Sequence, residues 1–80
     1  MSEINEASIF ANRLNYIMSI QYITNAELGR LTFMATSTIA GYRSGKRLPN
    51  INTLKEISRA LNVSADYLIG ISNTFNSSIF

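Results

Sequence analysis

The apolar positions fall at helical spacing in five short segments separated by turn-like residues, and nothing alternates as a strand would. The first segment spans about Ala7 to Ser19. Phe10, Leu14 and Ile17 recur there at i, i+4 and i+7 and define one inward face, with Asn12 and Arg13 off it. The second opens on a strong start signal, Thr24-Asn25-Ala26-Glu27. The Thr24 hydroxyl can accept from the Glu27 N–H while the Glu27 carboxylate reaches back to the Thr24 N–H, and Ile23 and Leu28 stand where a hydrophobic staple needs apolar residues. The spacing predicts a helix from Asn25 to about Thr32, with Leu28 and Leu31 inward. Two turns alone do not persist in water, so tertiary packing must hold them.

A turn is predicted near residues 33–35, then a third helix from Thr36 to about Ser44. Ile39 is its clearest buried position, with Tyr42 at i+3, which leaves Thr36, Ser37, Ala40, Gly41 and Arg43 facing outward. Gly45 suits the positive φ of a helix C-cap. Lys46 and Arg47 then project from a loop stiffened by Pro49, the single proline. Asn50 caps a fourth helix from Ile51 to Leu61, with Leu54, Ile57 and Leu61 inward and Asn62 as a left-handed stop. Ser64 caps a last short helix, Ala65 to Ile69, with Asp66 near its positive end and Gly70 closing it. Residues 71–80 read two ways. Their Ser and Asn content suits a frayed end, yet Ile71, Phe75 and Ile79 would form an apolar stripe if helical, covering the core or a second copy.

Composition narrows the chemistry. Eighty residues make one domain, here residues 1–70 with a tail at 71–80. A chain this short buries a modest core, and without cysteine it has neither a disulfide nor a thiolate zinc site to staple it, so dimerisation is expected on stability grounds. There is no histidine, and the five acids, Glu3, Glu6, Glu27, Glu56 and Asp66, show neither paired-carboxylate nor metal-loop spacing. No enzyme, cofactor, metal or small-molecule ligand is expected. No apolar run approaches the ~20 residues of a membrane span. The opening MSEINEAS holds two acids and no base, unlike a signal peptide, so the expected location is the cytoplasm. The net charge of +2 says little, but its placement says more: Arg30, Arg43, Lys46, Arg47 and Lys55 fall between Leu28 and Lys55 with no acid among them. Such a one-signed stretch is the footprint of a phosphate-binding face.

Two short helices around a tight turn, a Gly-Lys-Arg loop and two further helices resemble the Cro/phage-repressor (XRE-like) helix-turn-helix family. The resemblance rests on Thr24-Asn25-Ala26-Glu27-Leu28, Ser37-Thr38-Ile39, Ser44-Gly45-Lys46-Arg47-x-Pro49, and the run from Leu54 through Ile57, Ala60-Leu61-Asn62-Val63-Ser64, Tyr67-Leu68 and Gly70. It covers about Ser8 to Gly70 without gaps. It implies an all-α, five-helix lambda-repressor-like DNA-binding domain whose third helix enters the major groove of double-stranded DNA. By position in the family, Thr36 and Ser37 approach base edges or nearby phosphates, Gly41 stands where relatives often carry a longer base reader, Asn25 meets a phosphate, and Lys46 and Arg47 grip the backbone. Three departures stand out. Gly29 replaces a usual alanine, Phe33 stands where a turn glycine is common, and Ala35 replaces a Ser/Thr N-cap.

Phosphate contacts position and base contacts specify. Thr24 and Asn25 at a helix N-terminus, Arg43, Lys46 and Arg47 form the positioning set. Arg43 can instead pair with an acid or a partner, and Thr38 can read a base or bond to the local backbone. In the third helix only Arg43 is a bidentate reader, so hydroxyls, methyl contacts and shape are expected to carry sequence readout there. One small domain meets too few phosphates for tight binding at physiological salt, which again points to a homodimer, on a pseudo-palindromic site. Tyr67, Ile69, Ile71 and Phe75 are its expected interface. A repressor or Cro-like regulator fits this reading. A protein-interaction module such as an antitoxin or antirepressor is the alternative, motivated by Phe33 and the apolar tail.

Overall fold

The structure, a computed structural model, describes residues 5–75. Five helices follow in order: α1 (Glu6–Gln21), α2 (Asn25–Thr32), α3 (Thr36–Arg43), α4 (Ile51–Leu61) and α5 (Ala65–Leu68). α1 runs a turn longer than its apolar pattern requires. The Asn5 side chain caps it by accepting from the Ser8 N–H at 2.8 Å, and Tyr22 ends it in the left-handed region.

The core is one cluster drawn from every helix: Phe10, Leu14, Ile17 and Met18 of α1, Leu28 of α2, Ile39 and Tyr42 of α3, Ile57 and Leu61 of α4, and Tyr67 and Leu68 of α5, with Val63 between the last two. Phe10 meets Tyr42 edge to face at 6.0 Å, which fixes α3 against α1. Leu54 packs on the margin of this cluster, as its spacing predicts. Leu31 does not: it is 55% exposed. The inward face of α2 is Leu28, Gly29 and Thr32 instead. Thr32 is tolerated inside because its hydroxyl donates to the Leu28 carbonyl at 2.6 Å and so is not left unpaired.

The helices end alike. In each, a residue with positive φ (Tyr22, Phe33, Gly45, Asn62, Gly70) turns the chain, and the next N–H donates five residues back: Ile23 to Met18, Met34 to Gly29, Lys46 to Gly41, Val63 to Ser58 and Ile71 to Asp66, at 2.8–3.1 Å. This closure usually brings an apolar residue back onto the helix. Ile23, Met34 and Val63 do so. After α3 the position holds Lys46, which is exposed.

Of the tail, Ile71–Phe75 are described, and Ile79 lies outside the described residues. The described part is not helical and folds back on the domain. The Phe75 carbonyl accepts from the Ser64 N–H at 3.0 Å, and the Phe75 ring lies edge-on to Tyr67 (5.5 Å) and Tyr16 (6.5 Å). Arg13 holds this strap by donating to the Ser72 carbonyl and the Asn73 side chain, both at 3.1 Å, while its guanidinium lies 4.3 Å over the Tyr67 ring. Arg13 carried no signal in the sequence because its partners are about sixty residues away.

Candidate nucleic-acid interface

α2 and α3 pack against each other, and α3 also lies on α1. The close approach of α2 and α3 has a visible cause. A Cβ at Gly29 would stand 2.6 Å from the Met34 carbonyl oxygen, so only glycine fits. The turn keeps its geometry although Phe33 occupies the left-handed position (φ 58°), and the Phe33 ring is 97% exposed.

The N-terminus of α2 is fully built. The Thr24 hydroxyl accepts from the Glu27 N–H at 3.1 Å, and the Glu27 carboxylate accepts from the Thr24 N–H at 2.9 Å. The backbone N–H of Thr24, then its hydroxyl, hold the Glu27 carboxyl below its ordinary range. Asn25 follows, half-buried. Its Oδ1 accepts from Arg43 at 2.6 Å, which leaves the Asn25 amide nitrogen as the free donor of that side chain.

Arg43 is a bridge. Besides Asn25 it donates through Nε to the Asn15 Oδ1 at 2.5 Å, and the Asn15 amide returns a bond to the Arg43 carbonyl at 3.0 Å. The last turn of α3 is thereby tied to α1 and to the start of α2. Asn15 is the site residue that sequence reasoning missed, and nothing local could have found it: the contact spans 28 positions.

α3 presents a small-residue face. Thr36, Ser37 and Ala40 are exposed, Thr38 and Gly41 are half-buried, and Ile39 and Tyr42 turn inward. Its N-cap, Ala35, makes no side-chain bond. Among the described residues the hydroxyls of Thr36, Ser37 and Thr38 have no hydrogen-bond partner, so Thr38 is not engaged with the local backbone. Beyond α3, Gly45 (φ 80°) turns the chain so that Lys46 and Arg47 follow directly, both exposed. The structure thus joins Asn25 to Arg43 and lays the Arg47 side chain against Gly41, while Thr24, Thr36, Ser37 and Lys46 are exposed and Thr38 is half-buried. Tyr67 and Phe75 are packed within the domain. Ile69 and Ile71 remain exposed, at 40% and 73%.

Two helices at a tight turn, the second offering a polar face flanked by donors, define a helix-turn-helix. The helix-turn-helix family model matches residues 20–68. The chain belongs to this family, which bears out the resemblance in its motifs and the all-α, five-helix fold. A crystal structure of a transcriptional regulator from Listeria innocua shares the fold with a TM-score of 0.70 and 25% identity, over 89% of this chain and 63% of that one. The chain therefore spans less than two thirds of that regulator's length. No curated protein matches the chain. Among the described residues no helix is long and apolar enough to cross a membrane.

Proposed function

We propose that the chain is a transcriptional regulator of the phage-repressor or Cro type, acting in the cytoplasm by placing α3 in the major groove of operator DNA. One observation carries the reading: Thr36, Ser37 and Ala40 of α3 are exposed, and donors gather about the last turn of that helix, Asn25 bonded to Arg43 and Lys46 exposed on the loop just beyond. Phosphates gripped there would fix the register of the helix, and its exposed hydroxyls and methyls would touch bases. Arg43 acts in this reading through Asn25, whose free amide nitrogen and helix N-terminus suit a phosphate oxygen.

The reading includes a homodimer. Ile69 and Ile71 are its remaining apolar candidates, because Tyr67 and Phe75 are engaged within one copy. Two copies double the number of phosphates met and would read a two-fold site about one helical turn between centres. Titration of the full chain onto duplex DNA at several salt concentrations tests both parts. Lys46→Ala is expected to weaken binding to all sequences alike and to lower the slope of log K against log salt by about one unit per protomer. Sedimentation of the complex counts the copies. An unchanged slope removes Lys46 from the backbone, and one copy per site removes the dimer. A second reading, a protein-interaction module, is favoured by the exposed ring of Phe33. It prevails if no duplex is bound even at low salt.

A further inference from the structure

We propose that Arg47 is a base-reading residue, directed at a guanine, and that Gly41 is small in order to admit it. The inference rests on the reading that α3 lies in the major groove. It separates Arg47 from its neighbour Lys46, with which sequence reasoning grouped it as a backbone grip.

The free face of α3 lacks a bidentate donor. Thr36, Ser37, Ala40, Gly41 and Ser44 hold neither a guanidinium nor a side-chain amide, and the guanidinium of Arg43 is engaged with Asn15 and Asn25. Arg47 fills this gap from outside the helix. The position a Cβ would take on Gly41 lies 2.9 Å from Cδ, 3.4 Å from Cγ and 4.0 Å from Cβ of Arg47, so the aliphatic stem of Arg47 lies along the bare backbone of Gly41. Its guanidinium stands 5.8 Å from the Tyr42 ring. The closure of α3 sets this course: the Lys46 N–H donates to the Gly41 carbonyl at 3.1 Å after the positive φ of Gly45, which returns the chain over the helix. A side chain at residue 41 and the observed stem of Arg47 exclude each other. The pair therefore supplies α3 with the long donor its own sequence lacks. An arginine fork matches the O6 and N7 acceptors that guanine alone presents together in the major groove. The ammonium of Lys46, exposed on the loop, has no such path across the helix.

The test is a selection of preferred sites from random duplex DNA by the full chain, followed by titration of the selected duplex. The wild-type site is expected to contain a guanine in each half. Its replacement by 7-deazaguanine, which removes only the N7 acceptor, is expected to weaken wild-type binding about three- to tenfold, as the loss of one bond of a bidentate pair would. Arg47→Met keeps the aliphatic stem and removes every donor, so it should bind both duplexes with nearly equal strength. Gly41→Ala should do the same with Arg47 intact, because the displaced atom is on a flexible side chain and the fold is kept, as a thermal melt will verify. Variants that still discriminate the two duplexes as the wild type does would overturn the proposal, as would a selected site without guanine. Failure of the wild type to bind any duplex overturns the DNA-binding reading itself, a different result from binding without guanine preference.

Discussion

α2 and α3 have the same length, eight residues, and lie side by side, yet they treat their polar groups in opposite ways. α2 closes both of its ends with its own groups, and keeps the Asn25 amide as a donor. Its first turn is closed by the reciprocal bonds of Thr24 and Glu27, its last by Thr32 bonding back to Leu28, and its middle is locked by Gly29 against the Met34 carbonyl. α3 starts without a side-chain cap, and its three hydroxyl residues are unpaired among the described residues. It is held from behind and from its far end, by Ile39 and Tyr42 in the core, Arg43 tied to Asn15 and Asn25, and the turn at Gly45. A helix whose ends are closed by its own groups is held as scaffold. A helix that keeps its donors free has them available for another molecule, and it relies on tertiary contacts to stay in place.

Gly29→Ala tests the scaffold half most severely. Helix propensity alone says that alanine adds about 1 kcal/mol here. The structure says the opposite. The new methyl would stand 2.6 Å from a backbone oxygen at the start of the turn into α3. That atom cannot move without carrying α3 along. Overpacking of this kind costs about 1–3 kcal/mol and occasionally more, so after the propensity gain a net loss of up to about 2 kcal/mol is expected in urea denaturation. A more stable variant would mean that the crossing of α2 and α3 is looser than the structure shows.

How far this contrast could be read in the sequence depends on the range of each interaction. The capping box, the Asn50 and Ser64 caps and the stops at Gly45 and Asn62 use residues within five positions of one another, and each helix boundary came out within about a turn. The face of α2 was misassigned at Leu31 because two turns offer too few positions to fix a stripe, and because a threonine that satisfies its own hydroxyl looks polar in the sequence while behaving as core. The site divides on the same line. Thr36, Ser37, Lys46 and Arg47 were visible as exposed residues at the right offsets. The Arg43–Asn15–Asn25 bridge, the strap held by Arg13 and the stem of Arg47 over Gly41 depend on chain segments brought together only by folding.

Ala35→Ser would make the start of α3 resemble that of α2. Ala35 has the extended backbone of an N-cap (φ −66°, ψ 146°), so a serine hydroxyl there can accept from the Ser37 N–H or share the Thr38 N–H, which donates to the Ala35 carbonyl at 3.0 Å. A gain of about 1 kcal/mol in folding stability is expected from urea denaturation. No gain would show that the first turn of α3 is already satisfied, and the contrast between the helices would narrow to their hydroxyls. The same variant sharpens the functional side. If the open start of α3 serves a phosphate, the added hydroxyl competes for those N–H groups and DNA affinity should fall while stability rises.

The smallest effect concerns Glu27, and its value is in its sign. Its carboxylate accepts from the Thr24 N–H and hydroxyl in the folded chain, and these bonds lower its pKa below the ordinary value. A carboxyl whose folded pKa is depressed contributes stability that is complete above its unfolded pKa and is lost as pH falls through the folded value. The contribution should therefore be constant at neutral pH and disappear on acidification through and below the usual glutamate range. Glu27→Gln preserves the shape of the capping box without the titrating charge. The stability difference between wild type and Glu27→Gln, followed by thermal melts from neutral pH downward, is expected to favour the wild type and to shrink toward zero in acid. Because the side chain is solvent-exposed, the difference should be smaller than that of either preceding variant. A difference that does not change with pH would mean that the charge of Glu27 contributes nothing to the closure of α2, leaving only the neutral geometry of the box to distinguish its first turn from that of α3.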